Sequence, residues 1–96
     1  MGPSALEFNS TGSQNSAIGQ NALRNNIGNL NAVLGYQAGQ NLTTGNNNIA
    51  IGSNTDFTSS TGSNQLNIGN WIYGSGGNIG IGTNTPTGIL DLVSGS

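Results

Sequence analysis

The sequence lacks cysteine and histidine entirely and carries only four charged side chains, Glu7, Arg24, Asp56 and Asp91. Without cysteine there is no disulfide, and without either residue type there are no ordinary ligands for a structural zinc ion. Nucleophilic sites of the Ser/His or Cys/His kind are excluded for the same reason. The three carboxylates lie far apart in the sequence, which does not favour the paired acids of a glycosidase. We therefore predict that the chain is not an enzyme and holds no metal or cofactor.

Basic residues and long apolar runs are also scarce. A single arginine cannot form the basic surface through which proteins bind nucleic-acid phosphates. The longest apolar runs have three residues, such as 32–34, whereas a membrane-spanning helix needs roughly 20. The N-terminus lacks the basic region and long apolar stretch of a secretory signal. We expect neither nucleic-acid binding nor membrane insertion.

Uncharged polar residues dominate what is present, with 17 Asn and 17 Gly. Disorder usually accompanies high net charge, but the net charge here is only −2. Uncharged amide side chains can instead stack into ordered ladders. Large apolar side chains are few for a chain of 96 residues, and no disulfide or zinc site is available to stabilise it. Oligomerisation is the remaining way to do so, and we predict a homo-oligomer.

A short phrase recurs five times along the chain. It opens with an amide residue and closes with Ile or Leu followed by Gly, at residues 15–19, 31–35, 48–52, 65–69 and 78–82. The closing glycines are spaced by 16, 17, 17 and 13 residues: Gly19, Gly35, Gly52, Gly69 and Gly82. A repeat of this length is typical of solenoids, in which each repeat packs only on its neighbours.

Alternation within the phrase predicts a short β-strand. Ile49 and Ile51 are two residues apart and share one face, while the residue between them is usually small. The closing glycine permits a sharp turn with positive φ. The leading Asn can form an Asx-turn or stack on the equivalent Asn of the next coil. We predict that the apolar residue before each glycine forms an inner ladder: Ile18, Leu34, Ile51, Ile68 and Ile81.

One period of 16 or 17 residues has room for two strands and two turns. We place the second strands around residues 22–23, 38, 57 and 71–73. Helix is unfavourable because Gly and Asn interrupt every window. The fold class is therefore predicted as all-β, a repetitive β-solenoid or β-roll.

The sequence pattern divides the chain into three segments. Residues 1–12 are predicted to be an N-terminal leader or an expression remnant, and residues 13–82 the repeat array. Residues 83–96 form a predicted turn and strand that caps the array or links it to a following domain.

The Asn-x-Ala-Ile-Gly phrase resembles two kinds of trimeric surface fibre, the heads of trimeric autotransporter adhesins and the shafts of bacteriophage tail fibres. Residues 78–83 with Pro86, followed by residues 90–93, are similar to the segment that often precedes the C-terminal chaperone domain of phage tail fibres. The resemblance implies an intertwined homotrimer outside the cell, on a virion tail fibre or a cell surface. It also implies a structural, receptor-presenting role in host attachment.

Three other functions are compatible with the repeats. A bacterial trimeric adhesin head has the same type of repeat, and a self-assembling extracellular filament would stack coils end to end. An ice-binding solenoid is the third, because Thr83, Thr85 and Thr87 alternate along the chain.

Aromatic residues provide the one candidate binding site in the sequence. Trp71 and Tyr73 are spaced to share one strand face, and neighbouring Asn70 could add hydrogen bonds to a sugar ring. We consider these three residues a candidate site for a cell-surface glycan or receptor. The alternative is that the aromatic rings pack in the trimer interior or cap the coil stack.

Overall fold

Seven short β-strands form a single sheet in the computed structural model of the chain, which describes residues 1–93. The strands follow one another in the sheet in sequence order. They are β1 (Ser16–Ile18), β2 (Ala32–Leu34), β3 (Ile49–Ile51), β4 (Gln65–Ile68), β5 (Ile72–Ser75), β6 (Asn78–Ile81) and β7 (Leu90–Leu92).

The first four strands are parallel and stack in register, so each connection between them makes one turn of a solenoid. Strand β5 reverses direction between β4 and β6, and β7 pairs in parallel with β6. No helix occurs among the described residues. The molecule measures 40 × 21 × 15 Å. The predicted all-β solenoid is confirmed.

Each coil contains one strand, so the prediction of a second strand per coil is wrong. Around residues 22–23, 38 and 57 the chain forms turns or irregular backbone, and only β5 overlaps the predicted stretch 71–73. The physical reason is the backbone conformation of the part of each coil that follows the strand. Asn21 and Leu23 have φ of 61° and 49°, and Gln37 and Gly39 repeat this one coil later with 58° and 64°. Left-handed residues at every second position cannot form a strand.

The interior of the solenoid is narrow and holds mainly small side chains. Strands β1, β2 and β3 each bury their middle residue and expose the two on either side. The buried apolar residues are Ala17, Ala22, Leu23, Val33, Ala38, Leu42, Ala50 and Phe57. Four of these eight are alanine, since the cross-section leaves little room between the strand and the facing turns.

The predicted inner ladder lies on the outside of the coil. Its members do stack in register, but the face they share points away from the core, and the prediction of an interior position is wrong for the single chain. The residues concerned are Ile18, Leu34, Ile51, Ile68 and Ile81. Alternation identifies which residues share a face, but the narrow interior selects the face with the smaller side chains.

A column of amides, half-buried at Asn15 and buried beyond it, runs through the stacked coils, and we call it the amide ladder. Asn31 donates from Nδ2 to Asn15 Oδ1 (3.2 Å), and Asn48 donates in the same way to Asn31 (3.1 Å). Gln65 continues the column with a bond from Nε2 to Asn48 Oδ1 (3.2 Å). Each acceptor oxygen also receives the backbone N–H of the next member, at 2.8–2.9 Å. Within residues 1–93, every buried side-chain nitrogen and oxygen has a hydrogen-bond partner.

Glycines three residues before each amide allow the coils to approach. A Cβ on Gly28 would lie 2.0 Å from the carbonyl oxygen of Gly45, and one on Gly45 would lie 1.8 Å from that of Gly62. Those carbonyls also accept from the amide ladder, for example Asn31 Nδ2 to Gly45 (3.0 Å). The Gly-x-x-Asn spacing therefore lets the nitrogen of one amide donate to the coils on both sides, while its oxygen accepts from the following coil.

The N-terminal residues pack on the first coil. The N–H groups of Leu6 and Phe8 donate to the carbonyls of Ala22 and Arg24, at 3.0 and 2.9 Å. Arg24 also bonds Glu7 (Nε to Oε1, 2.6 Å) on the exposed surface. This hydrogen bond from Arg24 lowers the pKa of Glu7. Part of the predicted leader thus continues the solenoid surface.

The C-terminal segment adds one strand beyond the hairpin formed by β5 and β6. Strand β7 forms the edge of the sheet and leaves Leu90 and Leu92 exposed, at 60% and 66%. Residues 94–96 of the predicted segment 83–96 lie outside the described residues.

Replacing Asn48 by Ala should destabilise the fold strongly. The change removes the acceptor for the Gln65 backbone and side-chain N–H groups and the donor to Gly62. Buried polar groups left without a partner cost about 1–3 kcal/mol each, so we expect a loss of roughly 3 kcal/mol or more in the free energy of unfolding. Urea denaturation would measure it. The exposed Asn84→Ala is the control and should change stability by less than about 0.5 kcal/mol. Equal effects of the two substitutions would contradict a stabilising ladder.

Candidate binding surfaces

The outer side of the sheet carries two parallel rows of side chains, which together we call the outer apolar face. The closing row contains the residue before each closing glycine and the residues that pair with it in register on β5 and β7. Its members are Ile18, Leu34, Ile51, Ile68, Ile72, Ile81 and Leu92. The leading row lies two residues away on the same strands: Ser16, Ala32, Ile49, Leu66, Gly74, Ile79 and Leu90. The face thus contains eleven Ile and Leu side chains and no charged one.

Much of this face is open to solvent. Ile18 and Leu34 are each 50% exposed, and Ile49 and Ile51 are 44% and 42% exposed. Among residues 1–93, by contrast, the interior contains only four buried apolar side chains larger than alanine: Leu23, Val33, Leu42 and Phe57. More large aliphatic side chains therefore lie outside the coil than inside it. A contiguous apolar surface of this kind marks an interaction site.

The face is not flat across its two rows. Small residues at Ser16 and Ala32 leave a shallow depression of about 180 Å³, bordered by the larger side chains of Ile18, Leu34 and Ile49. Apolar atoms dominate its lining. The depression is shaped to receive an aliphatic side chain.

The residues proposed for glycan contact meet around one tight turn between β4 and β5. Gly69 and Asn70 have φ of 60° and 62°, and the N–H of Trp71 closes the turn on the carbonyl of Ile68 (3.0 Å). Positive φ at both central residues is the pattern of a type I′ hairpin turn. The turn places the indole of Trp71 against Gly69, where a Cβ would lie 3.4 Å from Cδ2 of the ring.

Only Trp71 of these three residues is fully available for a ligand. Its side chain is 72% exposed. The hydroxyl of half-buried Tyr73 donates to the backbone carbonyl of Asn70 (3.1 Å). The side-chain oxygen of Asn70 accepts from Asn67 Nδ2 (2.8 Å). The turn thus brings Trp71, Tyr73 and Asn70 together, but internal hydrogen bonds already engage two of them.

The predicted turn glycines all have positive φ, from 60° at Gly69 to 138° at Gly35. Gly19, Gly52 and Gly82 lie between these values. Adding a Cβ at Gly19 would also bring it within 2.4 Å of the Gly35 carbonyl oxygen. These positions turn the chain out of the strand and keep successive coils in contact.

The carboxylate of Asp91 takes part in local hydrogen bonds. Asp91 accepts from the N–H and hydroxyl of Thr87, at 3.1 and 3.2 Å, which holds a local turn. Among residues 1–93 there is no cluster of three or more His, Cys, Asp or Glu that could hold a metal ion, and no helix long and apolar enough to cross a membrane.

The threonines considered for ice binding do not form a row on stacked coils. Thr83 and Thr85 lie in one turn, with their hydroxyls 3.4 Å apart, and Thr87 bonds Asp91. Ice binding stays a prediction without a repeated threonine surface to support it.

The outer apolar face is the feature that sequence reasoning assigned wrongly. The repeats did contain a pattern that indicates this face, because its large apolar residues alternate with small residues such as Ala17 and Ala50. That alternation indicates two faces, but the width of the coil decides which of them lies inside.

The exposure of Trp71 can be tested directly because it is the single tryptophan of the chain. We expect its fluorescence emission to be close to that of indole in water, with efficient quenching by iodide and acrylamide. The measurement should be made on the assembled protein at native concentration. Blue-shifted emission and weak quenching would contradict an exposed ring and favour packing between chains.

Comparison of the chain with protein-family models, with curated proteins and with solved structures finds no match.

Proposed function

We propose that this chain is a structural and receptor-presenting segment of an extracellular fibre, assembled as a homotrimer and belonging to a bacteriophage tail fibre. The outer apolar face carries this proposal. Eleven aliphatic side chains in register on one side of an elongated solenoid require a covering partner, and a fibre of several such chains supplies it.

The construction of the coils supports a mechanical role. Backbone hydrogen bonds and the amide ladder link each coil to the next, with Asn31 and Asn48 buried at 1% and 0% exposure. Buried polar networks with every group bonded are rigid. A stack of this kind is well suited to hold a stiff shaft and to present its turns to a host surface.

Absence of acid–base groups from the sequence also favours a binding or structural role over an enzymatic one. The whole chain has no histidine or cysteine and only three carboxylates. General acid–base and nucleophilic catalysis depend on such groups.

Two alternatives remain within the same class of function. A bacterial trimeric adhesin head would use the same apolar face. A self-assembling filament would need pairing at the sheet edges, β1 and β7, and residues 1–8 already hydrogen-bond to part of the open end of the first coil.

Solution mass and a charge substitution test the proposal. Light scattering on a sizing column should give three times the chain mass, with β-rich circular dichroism. Ile51→Asp should reduce the mass to that of one chain because it places a charge on the outer apolar face. Since Ile51 points away from the core, the β-rich spectrum should largely persist.

Thr58→Asp is the matched control, because Thr58 is exposed on the same coil but well outside the strand. It should leave the trimer intact. A monomeric wild-type chain would refute the fibre proposal, and very large polymers would favour the filament.

Glycan recognition is a second candidate function, favoured by the exposure of Trp71. An exposed indole beside a tight turn can stack on a sugar ring. We expect binding to at least one oligosaccharide of a bacterial-surface glycan array, reduced at least tenfold by Trp71→Ala. Phe8→Ala, which removes another exposed aromatic ring, is the control and should leave binding unchanged. Equal binding by the Trp71 variant would remove this turn as the contact site.

A further inference from the structure

We infer that two further copies of this chain cover the outer apolar face around a threefold axis, with the closing row of each chain packed on the leading row of the next. This inference rests on the proposed homotrimer and specifies its interface. It names the surface, the partner and the pairing of the rows.

The two rows differ in size in a complementary way. The closing row has Ile or Leu on all seven strands. The leading row has small residues at three positions, Ser16, Ala32 and Gly74. When parallel copies lie at the same height, Leu34 of one chain faces Ala32 of the next, and its side chain enters the depression above that residue.

A large closing-row side chain also shares its strand with a small leading-row residue on β1 and β5. Ile18 lies on the strand of Ser16, and Ile72 lies on the strand of Gly74. Each of these closing-row side chains would therefore meet a small residue of the neighbouring copy. A pairing of closing row with closing row would bring large side chains together and leave the depression empty.

The presence of two rows lets each chain contact two neighbours. A chain that gives one row to each of two neighbours makes a heterologous contact, and three copies form the smallest ring that closes it. Residues beside the face extend this contact. Leu30 flanks the leading side of β2 and Tyr36 its closing side, and they are 53% and 46% exposed. The ring would bring Tyr36 of one chain beside Leu30 of the next.

The dimensions of the face also favour more than one partner. Seven strands at about 4.8 Å spacing and two rows of side chains give a footprint of roughly 30 by 10 Å. A stable pair usually buries about 800 Å² on each partner. A dimer through this narrow face alone would fall short, whereas two neighbours add contacts along both flanks.

A charged or structurally unrelated partner is less suited to this face. Neither row contains a charged residue that could select such a partner. A second copy has the same strand spacing along the whole length of the sheet. Its large and small side chains therefore recur at the same distances.

Cysteine pairs test the inference, because the natural chain has no cysteine. In the double variant Ala32→Cys/Leu34→Cys, the two thiols of one chain lie on one strand face, with Cβ atoms roughly 6.6 Å apart. That separation exceeds the ~3.8 Å of a disulfide, so bonds should form between chains. After mild oxidation we expect a covalent trimer on a denaturing, non-reducing gel. Each single variant should give no covalent trimer.

The matched control is Asn25→Cys/Ile27→Cys, an exposed pair two residues apart and outside the sheet. It should stay as single chains. If the wild-type protein has the mass of a trimer but the Ala32/Leu34 pair gives covalent dimers or no product, the row pairing is wrong and the fibre proposal stands. A wild-type monomer refutes the fibre proposal itself.

A second variant keeps the test independent of thiol chemistry. Ala32→Phe fills the depression from its own chain, and its outward side chain does not disturb the core. We expect at least a tenfold weaker association, measured by sedimentation over a dilution series, with unchanged circular dichroism. Undiminished association would overturn the assignment of this depression to the neighbouring chain.

Discussion

The structure depends on the amide ladder that runs through the stacked coils. The strands β1, β2 and β3 have only three residues each, so the sheet alone ties successive coils together over a short distance. The ladder adds side-chain bonds from Asn31 and Asn48 to the coils on both sides. Because these amides are buried, no water can replace a lost partner, and one broken position would leave several polar groups unpaired.

The end of the ladder coincides with the end of the parallel array. Gln65 takes the place of Asn, and its Oε1 accepts from the N–H of Ser59 in its own coil (2.9 Å). Its longer side chain therefore closes the hydrogen bonding locally. Four residues later, the turn at Gly69 and Asn70 reverses the chain into the antiparallel strand β5.

A narrow interior has a second consequence, which bears on function. Alanine side chains fill the inside of the strand region at Ala17 and Ala50, so the larger aliphatic residues of the repeats lie outside. Each coil thereby stabilises itself through backbone and amide hydrogen bonds and leaves its apolar surface for contact with other chains. The aliphatic residues that the narrow core leaves outside one chain can form a continuous interface between several chains, so the proposed fibre and its three-chain contact depend on the same surface.

The sequence by itself determined the repeats, the all-β class and the stacking of the leading amides. These follow from local rules, because the spacing of Asn and Gly is fixed and strand alternation is visible in residues such as Ile49, Ala50 and Ile51. The absence of histidine and cysteine likewise limits the available chemistry at the level of the sequence. The tight turn that exposes Trp71 was less predictable, since its conformation depends on the antiparallel pairing of β5.

Only the tertiary structure decided which side of each strand faces inward and how many strands each coil contains. Alternation is symmetric with respect to the two faces, so residues alone cannot say whether Ile51 or Ala50 is buried. The width of the closed coil decides it, and left-handed turns such as those at Asn21 and Leu23 shape the side of the coil that faces the strand. Coil width is a property of the whole closed turn, because it arises from the packing of the strand against the rest of its coil across the interior.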